Sequence, residues 1–282
     1  MERVIGFDDI VEAVAQLCGR AACELPEDVK AALQAAGKRE SSDSGRDFFE
    51  QYSRNSAIAE KTRLPLCQDT GFAVYFIDYG TEVKLDRGTI YEAVDLGTET
   101  GYRRYFLRKS IVSDPLFDRK NTGTNTPAVV HLRLVPGNTL KIVLAPKGGG
   151  SENMSALKML KPSEGKSGVV RFVVDSVVNA GGNPCPPTVV GVGIGGTMEM
   201  AALLAKQALL LPVDKVNDDC RYAELEAEIL QKINASGVGP QGLGGDVTSL
   251  AVHILQHPCH LASLPVAVNL NCHAARHQEV CL

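Results

Sequence analysis

The chain has 282 residues, 44% hydrophobic and 22% charged, enough apolar material for a sizeable core with an ordinary soluble balance. Its 29 basic and 33 acidic side chains leave a formal charge of −4 with no basic cluster, which argues against a general nucleic-acid binder. No apolar run long enough for a membrane span occurs, and Met1-Glu2-Arg3-Val4 lacks a signal peptide's apolar core, so a cytoplasmic protein is expected. In chain order, residues 8–36 read as two helical segments. Ile10, Val11, Val14, Ala15 and Leu17 recur at helical spacing after Asp8-Asp9, and Pro26, with Glu27 and Asp28 behind it, opens the second, which stops at Gly37. A further helix runs through Phe48, Phe49, Tyr52 and Ala57 to Lys61. Residues 1–62 are therefore expected to be a helical sub-layer of one domain covering 1–282.

Next comes Leu64-Pro65-Leu66-Cys67-Gln68-Asp69-Thr70-Gly71, leading into an apolar strand over 72–79. Pro65 restricts its own φ and Leu64, and Gly71 can take the positive φ that closes a tight turn. The loop is thus shaped, and it presents a thiol, an amide, a carboxylate and a hydroxyl in succession. Ile90 to Arg103 reads as a helix weakened by Gly97, and Asn121 to Pro127 as a turn cluster too polar for core. Ala128–Leu134 and Leu140–Leu144, separated by Pro136-Gly137-Asn138, predict a hairpin.

Lys147-Gly148-Gly149-Gly150-Ser151-Glu152-Asn153 precedes an expected helix over Met154–Leu160. A glycine-rich turn at that place exposes amides that favour an anion; no Gly-Lys-Ser/Thr ends it as in a P-loop, and the nearby Lys147 and Ser151 favour carboxylate binding over a plain tight turn. Val169–Ala180 predicts a helix leading to Gly181-Gly182-Asn183-Pro184-Cys185-Pro186-Pro187, an unusual setting for a core thiol. Thr188–Ile194 is an apolar strand. Gly193-Ile194-Gly195-Gly196-Thr197 then opens a helix over Met198–Leu211, and this second glycine-rich start fits either an anion or close strand–helix packing. Residues 221–234 are a charged amphipathic helix, and Leu264–Leu270 a strand ending at Asn271-Cys272-His273.

Eight cysteines without a Cys-x-x-Cys pair point to ligands or buried thiols rather than to disulfides or a zinc ribbon. Cys67, Cys185 and Cys272 each sit at the edge of an expected strand among polar or proline-rich residues. Cys18 and Cys23 lie in the helical layer, Cys220 beside the charged helix, and Cys281 at an expected frayed end. Three thiolates without a fourth suit an iron–sulfur cluster with one open iron, or a metal with an open position. His253 and His257 offer a competing zinc reading by spacing.

The motifs together resemble the α-subunit, equivalent to the N-terminal domain, of the iron–sulfur hydro-lyases: class I fumarate hydratase and L-tartrate dehydratase. The residues that carry the resemblance are Leu66-Cys67-Gln68-Asp69-Thr70-Gly71, Asp114-Pro115-Leu116, Asn121-Thr122-Gly123-Thr124-Asn125-Thr126-Pro127, Lys147 to Asn153, Gly193 to Thr197 and Cys272-His273. The resemblance implies a [4Fe–4S] cluster held by Cys67, Cys185 and Cys272, with the fourth iron acting as a Lewis acid. It implies Gln68, Arg108, Gly149 and Gly150 against the substrate, and Asp69 and His260 as catalytic groups. His257 lies close, and the offset to Cys272 favours His260. The implied activity is reversible hydration of fumarate to malate, with L-tartrate dehydration the alternative and a non-catalytic cluster-bearing scaffold a reading of a different class. Retention of Asp69, Arg108 and His260 argues against the scaffold. Single-chain members continue into a second domain, so a separate β-subunit is expected to complete the site, in an α2β2-type hetero-oligomer without nucleic acid or membrane. The expected fold is α+β: a helical N-terminal layer packed on a mixed β-sheet, with the cluster in strand-end loops.

Overall fold

A computed structural model describes residues 2–282, and the chain is mixed helix and sheet as an α+β fold requires. It forms two compact units: one contains the chain up to Pro26, Asn55–Gly149 and Arg276–Leu282, the other Glu27–Arg54 and Gly150–Ala275. The N-terminal helices are thus shared out. α1 (Phe7–Cys23) belongs to the first unit, α2 (Glu27–Arg39) to the second, and α3 (Asp43–Thr62) begins in the second and ends in the first. No helix among the described residues is long and apolar enough to cross a membrane.

The first unit is built on a four-stranded sheet in the order β10-β5-β2-β4, comprising β10 (Gln278–Cys281), β5 (Leu140–Lys147), β2 (Phe72–Gly80) and β4 (Val129–Val135). Ile10, Val14 and Leu17 of α1, Ala73, Tyr75 and Ile77 of β2, and Leu140, Ile142 and Leu144 of β5 share one core with α4 (Ile90–Arg104). Gly97 does not weaken α4 so much as let it approach α1, because a Cβ there would lie 2.6 Å from the Val14 side chain. A short parallel pair, β1 (Arg3–Ile5) with β3 (Val83–Leu85), lies outside that sheet. The expected hairpin does not form: β4 pairs parallel with β2, β5 antiparallel with β2, and β2 lies between them. Cys281 is not frayed either, since it pairs with Lys141 in β10.

The second unit has the sheet order β6-β9-β7-β8, from β6 (Ala156–Leu160), β9 (Leu264–Asn271), β7 (Thr188–Gly195) and β8 (Ser249–His257). Every residue of β7 is buried, as a central strand covered on both faces must be. α6 (Gly165–Ala180) and α8 (Cys220–Asn234) supply Val173, Val177, Ile229 and Ile233 to the same core as Val190, Val192, Ile254 and Val268. Gly193 settles the second glycine-rich stretch as close packing. A Cβ there would fall 2.0 Å from the Ala201 carbonyl of α7 (Met198–Ala208), so only hydrogen fits between strand and helix. Residues 156–160 are a strand rather than the expected helix, because pairing with β9 overrides the helical preference of Ala, Leu, Lys and Met.

Candidate functional site

In the first unit, the chemistry gathers at one end of the sheet. Phe72 at the start of β2 pairs with Lys147 at the end of β5, which brings the Cys67 turn and the Gly148–Gly149 stretch to the same edge. The turn is pinned through its main chain: Leu66 N–H donates to the Ala22 carbonyl at 2.8 Å, and the Asn55 amide to the Leu66 carbonyl at 2.9 Å. Asp69 is the hub. Its Oδ1 accepts the Gly71 amide and its Oδ2 the Gly149 amide, both at 3.0 Å, while its carbonyl accepts Arg276 Nη2 at 2.6 Å. The Gly149 amide, expected against the substrate, here donates to Asp69. Gly71 holds a φ of +73°, and its carbonyl accepts Tyr102 Oη at 3.1 Å.

Arg108 is exposed beside this turn, and its carbonyl accepts the buried Thr70 hydroxyl at 2.9 Å. Gln68 is exposed, Cys67 and Asp69 half-buried. Asn125 was expected in a loop too polar for core, yet it is fully buried at a φ of +62°. Its Oδ1 accepts the Ser110 amide at 2.7 Å and its Nδ2 donates to the Gly71 carbonyl at 3.2 Å, tying the Arg108 segment to the Cys67 turn. An Asn two residues from both a Gly and a Pro was the only sequence signal for it. Burial pushes the Tyr102 hydroxyl pKa up.

In the second unit, Cys185 and Cys272 share one end of the sheet, because Val189 at the start of β7 pairs with Asn271 at the end of β9. Cys185 is exposed on a backbone with φ +54°, an unusual conformation for a residue with a side chain. Three contacts hold it there. Its N–H donates to the Gly182 carbonyl at 3.0 Å, and its carbonyl accepts the His273 N–H at 3.2 Å and lies 2.9 Å from His273 Nδ1. Gln241 braces the same loop, with its Nε2 donating to the Pro186 carbonyl at 2.7 Å and lying 3.1 Å from His273 Nδ1. The His273 ring stands edge-on to Phe48 and Tyr52, at 5.1 and 4.4 Å between centroids. Neither His273 nor Gln241 was singled out as a brace from the sequence.

Gly150 belongs to this end as well, since a Cβ there would lie 3.3 Å from the Asn183 carbonyl, and Glu152 accepts Lys206 Nζ at 2.5 Å and Asn269 Nδ2 at 3.2 Å. His260 does not. It lies in the loop before β9, whose eight residues run at about 3.3 Å each, so Cys272 is on the order of 25 Å away at the far end. The exposed His260 accepts the Ala262 amide at its Nδ1, 3.1 Å away, and shares a surface cavity of about 390 Å³ with His257 and Met159. Within the second unit His260 and Cys272 therefore lie at opposite ends of β9.

The cysteines sort by position. Cys18 and Cys23 are interior: burial pushes the Cys18 thiol to about 12, with Tyr75 Oη 3.5 Å away, and raises Cys23 too. Cys259 faces its own loop, donating to the Ser263 carbonyl at 3.3 Å, and Cys220 begins α8. Cys67, Cys185 and Cys272 are accessible thiols in braced strand-end turns, a donor set that fits a thiolate-bound cluster. Within neither unit do three or more His, Cys, Asp or Glu side chains among the described residues gather as a site for a metal ion. The zinc reading fails on geometry, since His253 and His257 are four residues apart on one strand, about 13 Å. His253 is moreover buried, which lowers its pKa.

A family model described as fumarate hydratase (Fumerase) matches residues 11–281. A protein of Methanocaldococcus jannaschii, provisionally named L(+)-tartrate dehydratase subunit alpha, is 43% identical over 271 residues, covering 95% of both chains. L(+)-tartrate dehydratase subunit alpha of Escherichia coli K12 is 33% identical over 271 residues, 95% of this chain and 88% of the relative, and that of Shigella boydii is similar to the same extent.

Proposed function

The chain belongs to the fumarate hydratase family and is a hydro-lyase of that type, and on that premise we propose that it is the α-subunit of an L(+)-tartrate dehydratase. The observation that carries the substrate is the 43% identity, over 95% of both chains, to a relative named for tartrate. Fumarate and malate form the second reading, favoured by the description of the family model. The relatives are named as α-subunits, which supports a separate β-subunit and an α2β2-type assembly for this chain.

Cys67, Cys185 and Cys272 are the residues we assign to hold a [4Fe–4S] cluster. Bound there, with one iron free of protein ligands, it supplies a Lewis acid for the departing hydroxyl. The remaining work falls to this chain's own side chains. Arg108, exposed and without an ion pair among the described residues, grips a substrate carboxylate through paired charge-assisted hydrogen bonds. Gln68 offers its amide to a hydroxyl, and the Gly150 amide lies in the turn that faces a second carboxylate. Asp69 accepts two backbone amides and keeps lone pairs on both oxygens, so it can still take the C–H proton next to a carboxylate. Loss of that proton and of hydroxide from the neighbouring carbon releases water and leaves an enol, which becomes a 2-oxo dicarboxylate when tartrate is the substrate. His260 has no role in this reading.

The test is a steady-state assay of the anaerobically reconstituted chain with its β-subunit, on L(+)-tartrate and on malate. The expected result is a kcat/KM at least about tenfold higher for tartrate, a difference of about 1.4 kcal/mol in transition-state binding. A preference for malate would overturn the substrate assignment, and full turnover without the β-subunit would overturn the assembly.

A further inference from the structure

Arg276 is the least satisfied charged group of the first unit. It is 4% exposed, two residues before β10, and the pairing of Gln278 with Leu144 sets it at the sheet end that carries the Cys67 turn. Its Nη2 donates to the Asp69 carbonyl at 2.6 Å, whereas Nε and Nη1 are buried without a hydrogen-bond partner among the described residues. No ion pair to it occurs among the described residues. Cys23 and Tyr102, both within its electrostatic reach, are interior groups whose pKa burial raises, and the Asp69 carboxylate forms no ion pair with it and is turned to the Gly71 and Gly149 amides, so none of the three matches its free faces. A guanidinium removed from water with two faces unmatched is costly unless an anion compensates it.

We infer that Arg276 is a positioning residue whose buried charge is compensated by the anionic cluster carried on the Cys67 turn. The inference rests on the cluster reading given above. A cluster held by three thiolates is net anionic, and Cys67 lies two residues from the carbonyl that Arg276 grips. Arg276 thereby does two things: its hydrogen bond fixes the Cys67–Asp69 turn, and its charge favours the loaded state over the empty one. Burial separates it from Arg108, which is exposed as a group gripping an exchanging ligand must be. Arg276 matches a resident charge instead.

The experiment compares the full-length wild type with Arg276→Gln and Arg276→Lys, each as apoprotein and after anaerobic reconstitution with iron and sulfide. Thermal midpoints are read for both states, and the rate of iron release to a chelator for the loaded one. Because the charge is unmatched in the apoprotein and matched in the loaded one, Arg276→Gln is expected to lower the loaded midpoint far more than the empty one. Iron release should rise about tenfold or more, the scale of losing one interaction with a charged partner, and Arg276→Lys should recover part of both effects. Equal lowering of the two midpoints with unchanged iron release would show Arg276 to be mere packing and overturn the inference. A wild type that takes up no iron and sulfide would instead overturn the cluster reading, and this inference with it.

Discussion

Replacing Asn125 by alanine tests whether the Arg108 segment and the Cys67 turn are held as one piece. The side chain is fully buried and bridges the Ser110 amide to the Gly71 carbonyl. Deleting it leaves the half-buried Ser110 N–H without that acceptor, worth about 1–2 kcal/mol. The Gly71 carbonyl keeps Tyr102 Oη at 3.1 Å, so its loss is smaller, about 0.5–1 kcal/mol. Alanine at a φ of +62° adds roughly 1 kcal/mol of backbone strain. The sum is about 2.5–4 kcal/mol, or a fall of roughly 5–15 °C in melting temperature for a chain of this size. Thermal unfolding followed by circular dichroism measures it. Asn125→Gly relieves the strain alone and should return about 1 kcal/mol. An Asn125→Ala chain within about 0.5 kcal/mol of wild type would refute the bridging role.

Arg108→Ala should leave iron content unchanged while kcat/KM for the dicarboxylate falls roughly ten- to hundredfold, the loss of one charge-assisted pair; unchanged kinetics would remove Arg108 from the site. Glu40, 3% exposed, gives a pH-dependence. Burial alone would raise its pKa, but hydrogen bonds from Ser42, Val247 and Asp246 bring it below the ordinary 4.5. Its contribution is thus present above pH 4.5 and lost as pH falls through the lower folded value. The stability gap between wild type and Glu40→Gln should therefore narrow as pH drops below 4.5, and a gap constant over that range in urea titrations would contradict it.

The features legible in the sequence were those whose chemistry is local. The turn from Leu66 to Gly71 declares itself through Pro65, Gly71 and four polar groups in a row, and the strand after it through a continuous apolar run. The failures were long-range. Pro136-Gly137-Asn138 is a sound turn signal, yet β2, from some fifty residues earlier, takes the place between β4 and β5. Residues 156–160 have helix-forming side chains, and only the open edge of β9 makes them a strand. The offset from His260 to Cys272 is filled by an extended strand, so within the second unit the two lie at opposite ends of it. Asn125 and Arg276 look like surface residues in isolation, and their burial follows from packing of segments distant in the chain.

Assignment of the cluster to Cys67, Cys185 and Cys272 stands or falls on iron and acid-labile sulfide per chain after anaerobic reconstitution of single Cys→Ser variants. Cys67→Ser, Cys185→Ser and Cys272→Ser should each lose the bound cluster and its visible absorption. Cys18→Ser, Cys220→Ser and Cys281→Ser should keep wild-type content, because those thiols are interior or lie away from the braced turns. Full cluster content in the Cys67, Cys185 or Cys272 variant would contradict the claim.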